Sequence, residues 1–275
     1  MHRSEPPADP RETGSVPIPA VFFGHGSPMN AIEQNRYSRA WAEFGRAIPV
    51  PRAILVISAH WYGDGIAVTA MPKPRTIHDF HGFPRRLFGV EYPAPGSPEL
   101  AHEVVDLLAP MPVRLDLDDW GLDHGTWSVL VHACPRADIP VVQLSLDSRL
   151  DFDAHFALGA RLAPLRERGV WIVGSGNVVH NLRALEWSQP ELGFDWARRF
   201  DEAVREVLTE RPEAAPALRH HADFALAVPT PDHFLPLLYL AGLSSAAKHP
   251  LSGRLDGFAY GSLSMACYSL ESRSV

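Results

Sequence analysis

Five histidines stand where the chain bends or where a helix is expected to begin. His25 lies between Gly24 and Gly26, His60 closes an apolar run, and His124 is followed by Gly125. His180 comes after a Gly-Asn turn, and His233 follows Pro-Thr-Pro-Asp. Imidazole is the commonest protein ligand for Zn, Fe, Cu and Ni, and the side chain that exchanges a proton near neutral pH. Three or four neutral imidazoles brought to one point would hold a metal, and another beside them would move protons. Any one of these histidines is more often structural than a ligand; five in glycine-flanked or helix-start positions point to a metal site. Of the 14 histidines, His2, His102, His155, His220, His221 and His249 carry no such context, and surface positions are expected among them.

Other chemistries are missing from the pattern. There is no HExxH, no phosphate-cradling GxxxxGK[ST] and no GxSxG nucleophile elbow. Two isolated cysteines, Cys134 and Cys267, cannot supply the thiolate pairs of a Cys-based zinc site, and they fit a reducing cytoplasm. A formal charge of −7 argues against a general nucleic-acid binder. No apolar run approaches the roughly 18 residues that span a bilayer, and no basic-then-apolar signal pattern opens the chain. Residues 1–19 read as a disordered leader and residues 20–275 as one domain.

The elements that must position the histidines are legible as alternating strands and helices, with strands expected at residues 21–23, 53–59, 65–70, 113–117, 139–145, 169–174 and 258–270. Run 53–59 (AILVISA) is continuously apolar, the pattern of a strand buried on both faces. Helices are expected at residues 36–48, 97–108 (Ser97 as N-cap, Pro98 at N1), 151–168 and 194–208, with His180 on one turn of helix and His233 beginning another. The fold class that follows is α/β: one domain with a mixed or mostly parallel sheet flanked by helices. The metal site would lie at the strands' C-terminal ends, where parallel strands bring distant residues together. The chain holds 26 prolines, where an average content of about 5% gives about 14. Many fall in stiff loops, above all residues 71–96, read as a packed lid or wall over the site carrying Phe80, Phe83, Phe88, Tyr92, His78 and His81. Arg85 and Arg86 on it could meet an anion, although solvent exposure is the commoner fate of such residues.

The strings GHGSPMNAIE, ISAHW, TIHDFHGFP, YPAPGSPEL, WGLDHGTWSVL, SGNVVHNLR, PTPDHFLPLLYLAG and GSLSM, in this order, resemble the LigB-type class III extradiol ring-cleavage dioxygenases, and within them the 4,5-DOPA dioxygenase family. The resemblance covers nearly everything after the leader. It implies a single α/β domain, Fe(II) as the working metal with Zn(II) possible in the isolated protein, and O2-dependent cleavage of a catechol beside one hydroxyl to a muconic semialdehyde. Carried over by motif, His25, His60 and His233 would be metal ligands. His180 would be a ligand or the general base, and His124 would touch substrate or oxygen as a second catalytic residue. Better known LigB-type enzymes use two histidines and a carboxylate; the third position here reads His233, with Asp232 beside it. His81 stands where glycine is expected in most relatives. The implied partners are a catechol and O2 rather than nucleic acid or membrane, for a monomer or small homo-oligomer. A zinc hydrolase and a non-catalytic Memo-like binding protein are the alternatives; a yellow ring-cleaved product would separate the first reading from both.

Overall fold

A computed structural model describes residues 16–272. The strands are β1 (Ala20–Gly24), β2 (Ala53–Gly63), β3 (Ile66–Thr69), β4 (Val113–Asp116), β5 (Val141–Asp147), β6 (Val170–Gly176), β7 (Ser252–Leu255), β8 (Phe258–Ala259), β9 (Leu263–Ser264) and β10 (Cys267–Leu270). Eight of them form a mixed sheet in the order β4-β3-β5-β2-β6-β1-β10-β7. The central four, β5-β2-β6-β1, run parallel. Antiparallel pairings, β3 on β5 and β10 on β1, begin the two flanks.

The strands are apolar because both faces are covered. Side chains alternate across a strand, so Phe22, Leu55 and Ile172 join one core cluster while Phe23, Ile54, Val56, Trp171 and Val173 join the other. The first is covered by α2 (Pro98–Leu108), α4 (Phe152–Arg161), α6 (Asp195–Glu210) and α8 (Leu235–Ala247), the second by α1 (Arg36–Ala47) and α3 (His124–Ala133). The other described α-helices are the short α5 (Pro164–Glu167) and α7 (Phe224–Ala227). No described helix is long and apolar enough to cross a membrane.

Several boundaries differ from the sequence reading. The expected leader lies largely in residues 1–15, outside the described residues, but Ile18 is buried and donates its N–H to the Arg166 carbonyl at 3.0 Å, so the packed chain begins before residue 20. The helix expected over 151–168 breaks at Leu162–Ala163, where Pro164 cannot continue the backbone ladder. The single strand expected over 258–270 is three short ones, of which only β10 joins the main sheet. His155 is fully buried, between the Tyr239 hydroxyl and the Asp147 carbonyl, both at 3.2 Å.

That burial carries a pH signature. Burial pushes the His155 pKa from 6.5 to about 4, against the opposing pull of the Asp147 carbonyl and carboxylate. The unfolded chain therefore takes up a proton near pH 6.5 that the folded chain refuses until about pH 4. The stability is complete above 6.5 and is lost as pH falls toward 4, by up to about 3 kcal/mol from this residue. Urea unfolding across that window should show a shallower pH slope for His155→Gln than for the unsubstituted protein; equal slopes would show that His155 does not contribute.

Candidate metal centre

β2 does not end at His60. Its pairing with β5 passes from Ile57 opposite Leu144 to Tyr62 opposite Leu146, so residues 58–61 face a single residue of the neighbour. Such a bulge bends the strand and re-aims side chains, and His60 sits in it. His25 follows β1 directly. Gly26 there has φ +59°, and a Cβ on it would fall 2.4 Å from Met265 Sδ, so only glycine serves. His124 is the first residue of α3, whose N-cap Asp123 is buried. Ser58 donates to Asp123 Oδ1 at 2.7 Å, and the Gln143 amide also donates to that carboxylate. Burial, with Asp79 nearby, raises the Asp123 pKa to about 6. Gly125 lets α3 approach β2: a Cβ would lie 2.5 Å from Ser58 Oγ and 2.8 Å from the His60 ring.

Two placements depart from expectation. His180 is not on a helix; it forms an isolated bridge with Leu263 ahead of a 3-10 turn at Leu182–Ala184. His233 sits in the turn before α8 rather than on it. All five histidines nonetheless converge. The ring centroids of His25, His60 and His233 form a nearly equilateral triangle, with sides of 5.0, 5.2 and 4.9 Å. His124 lies 3.8 Å from His60 and 5.9 Å from His25, and His180 stacks on His233 at 3.4 Å with the planes 4° apart.

Hydrogen bonding decides which nitrogen each ring offers. The Ser175 hydroxyl donates its one proton to the Gly125 carbonyl at 2.6 Å, so toward His25 Nδ1, 2.9 Å away, it can only accept. Nδ1 of His25 therefore carries the hydrogen and Nε2 is bare. His233 Nδ1 faces the Asp232 carboxylate at 2.5 Å, and His60 Nδ1 faces that of Asp79 at 3.4 Å; both carboxylates are acceptors only, favouring the same tautomer. His25 Nε2 and His60 Nε2 then stand 3.2 Å apart with lone pairs facing. Two lone pairs so placed repel unless a cation lies between them.

An ion about 2.1 Å from each Nε2, with ligand angles near 100–110°, spaces those nitrogens by about 3.2–3.4 Å and the ring centroids by about 5 Å. The triangle of His25, His60 and His233 fits. Nitrogen proximity, by contrast, selects His25, His60 and His124, one nitrogen of each lying within 4.8 Å of the others. The 3.8 and 5.9 Å ring spacings of that trio are too unequal for three like bonds. Burial first, then repulsion from neighbouring histidines, pulls the pKa values of His25 and His60 well below 6.5. His180 shifts the same way, with Asp232 opposing. All three are neutral at pH 7, the form that ligates or accepts a proton. Burial would raise Asp232, yet the bond and charge of His233, the Thr230 hydroxyl and the His180 charge together outweigh it and bring its pKa to about 2.

The lid is a wall rather than a free loop. Ile77 donates its N–H to the Leu122 carbonyl at 2.7 Å, and the Trp127 indole donates to the Ile77 carbonyl at 2.8 Å. Phe80 packs edge-on against His124 and also contacts Phe83, Phe88 and Trp127. Within this lid His78 bonds the Val90 carbonyl, whereas His81, Arg85 and Arg86 are exposed. Sequence reasoning passed over Asp79 and Ser175, because no periodicity or motif marks a residue whose role is to face another ring. The only signal was the polar Asp79 inside an aromatic stretch.

Residues 19–260 match a family described as the catalytic LigB subunit of aromatic ring-opening dioxygenase. A 4,5-DOPA dioxygenase extradiol of Escherichia coli (strain K12) is 49% identical over 255 residues, 91% of this chain and 94% of that one. One from Beta vulgaris is 42% identical over 82% of this chain and 88% of its own. The crystal structure of an uncharacterized E. coli K12 protein superposes with a TM-score of 0.81 at 44% identity, covering 92% of this chain and 100% of that one.

Proposed function

The chain belongs to the family of catalytic LigB subunits of aromatic ring-opening dioxygenases, and from that premise we propose that it opens the ring of a DOPA-like catechol with O2, beside one hydroxyl, giving a muconic semialdehyde. The observation that carries the proposal is the facing pair of bare nitrogens, His25 Nε2 and His60 Nε2 at 3.2 Å, inside the three-histidine triangle. The relatives' name, 4,5-DOPA dioxygenase extradiol, supports the substrate class.

His25, His60 and His233 would hold Fe(II) as neutral ligands. Bound there, Fe(II) supplies an anchor for the diol and a path for electrons from the ring to O2. The protein's part is protonic and steric. A catechol must lose at least one hydroxyl proton to chelate, and His180, neutral and beside His233, accepts it and later returns it to the departing oxygen. His124 faces the bound substrate or oxygen from the side of His60, next to Phe80. The aromatic lid excludes water while the reaction proceeds. Two buried free cysteines fit a cytoplasmic location.

Metal-free protein loaded anaerobically with Fe(II) and then given L-DOPA and air should consume O2 and turn yellow. Zinc-loaded protein should do neither, since zinc has no redox chemistry. Equal turnover with zinc, or a colourless product with Fe(II), would overturn the dioxygenase proposal.

A further inference from the structure

Asp79 is the one lid side chain that faces two of the converging histidines. Its Oδ1 lies 2.9 Å from His124 Nδ1 and accepts the His124 backbone N–H, also at 2.9 Å; its Oδ2 lies 3.4 Å from His60 Nδ1. Neither ring contact is an aligned hydrogen bond: His124 Nδ1 is left without a hydrogen-bond partner, and the His60 contact, at 3.4 Å, acts through the carboxylate's charge. The firm bond of Oδ1 is thus the one to the backbone. The Asp79 backbone is held on both sides, by Ile77 tied to Leu122 and Trp127, and by Phe80 packed on Trp127. The carboxylate is therefore fixed between the bulge of β2 and the first turn of α3.

We infer that Asp79 is a positioning residue that sets the tautomer of His60, and thereby makes the lid part of the metal centre. The inference rests on the proposed metal site. A carboxylate offers acceptors on both oxygens, so a ring facing either one keeps its hydrogen on Nδ1 and turns a bare Nε2 to the metal. An amide of the same shape cannot do this twice. In Asp79→Asn the amide oxygen stays with the His124 backbone N–H, which requires an acceptor. The NH2 group then faces His60 Nδ1, which must become an acceptor. The hydrogen moves to Nε2, where it blocks ligation. Asp79→Ala, with no donor there, leaves His60 free to choose its tautomer.

The test is a zinc titration of metal-free protein against a chelator, with long-range 15N–1H spectra of the histidine rings and a melting curve for each variant. Asp79→Asn is expected to bind Zn(II) about 10–100-fold more weakly, with His60 protonated on Nε2. Asp79→Ala should lose less affinity, and Asp79→Glu should restore the Nδ1–H form. If Asp79→Asn melts normally and keeps both zinc affinity and the Nδ1–H signal, the inference is wrong. If Asp79→Ala is the weaker binder of the two, Asp79 serves the loop rather than the ring, and the inference fails again. Failure of the unsubstituted protein to bind zinc at all would instead overturn the metal site itself.

Discussion

Replacing His25, His60 or His233 with alanine is expected to remove bound metal and activity together, bringing turnover down to that of metal-free protein. His25 Nδ1 donates to Ser175 and His233 Nδ1 to Asp232, and His60 Nδ1 faces the Asp79 carboxylate at 3.4 Å, so each ring keeps a bare Nε2. If these three are the ligands, as proposed, the loss of one leaves two nitrogens and opens the centre to water. The measurement is metal content after dialysis, read beside the rate of semialdehyde formation. The histidines other than these three supply the contrast. His124→Ala should retain metal, because its ring spacings to His60 and His25, 3.8 and 5.9 Å, do not complete an even triangle. Metal retained in His233→Ala but lost in His124→Ala would exchange the roles of the two.

His180→Ala should separate proton transfer from metal binding. The His180 ring lies parallel to that of His233, 3.4 Å away, and so flanks a proposed ligand rather than adding to the triangle. Burial, followed by repulsion from His233, keeps it unprotonated at pH 7 despite Asp232. The variant is expected to keep its Fe(II) on dialysis and to bind catechol, but to turn over roughly 10²–10⁴-fold more slowly, the usual worth of a positioned acid–base group. Raising the pH should recover part of the rate, because solvent then removes the catechol proton. Loss of Fe(II) as readily as in His25→Ala would make His180 a ligand and pass the base role to His124.

The continuously apolar run 53–59 announced a strand covered on both faces, and β2 has its first seven residues buried. Ser97 and Pro98 announced the start of α2, where the serine side chain accepts the Leu100 N–H. These features depend on side chains a few residues apart, and a local pattern records local physics. The breaks were less legible. The bulge at residues 58–61 arises from pairing with β5, some 85 positions downstream, and nothing near His60 encodes it.

The centre divides along the same line. The five histidines could be picked out from the chain, because imidazoles beside glycines and turns form a pattern in one dimension. Their placement was less legible: His60 lies inside β2, and His180 and His233 lie off the helices expected for them. Which nitrogen each ring presents was settled only by folding. His25 owes its bare Nε2 to Ser175, 150 residues away, whose own proton is taken by Gly125; His60 owes its tautomer to a carboxylate on the lid. A ring's tautomer depends on whatever acceptor faces it in space, and such partners leave no trace in sequence spacing.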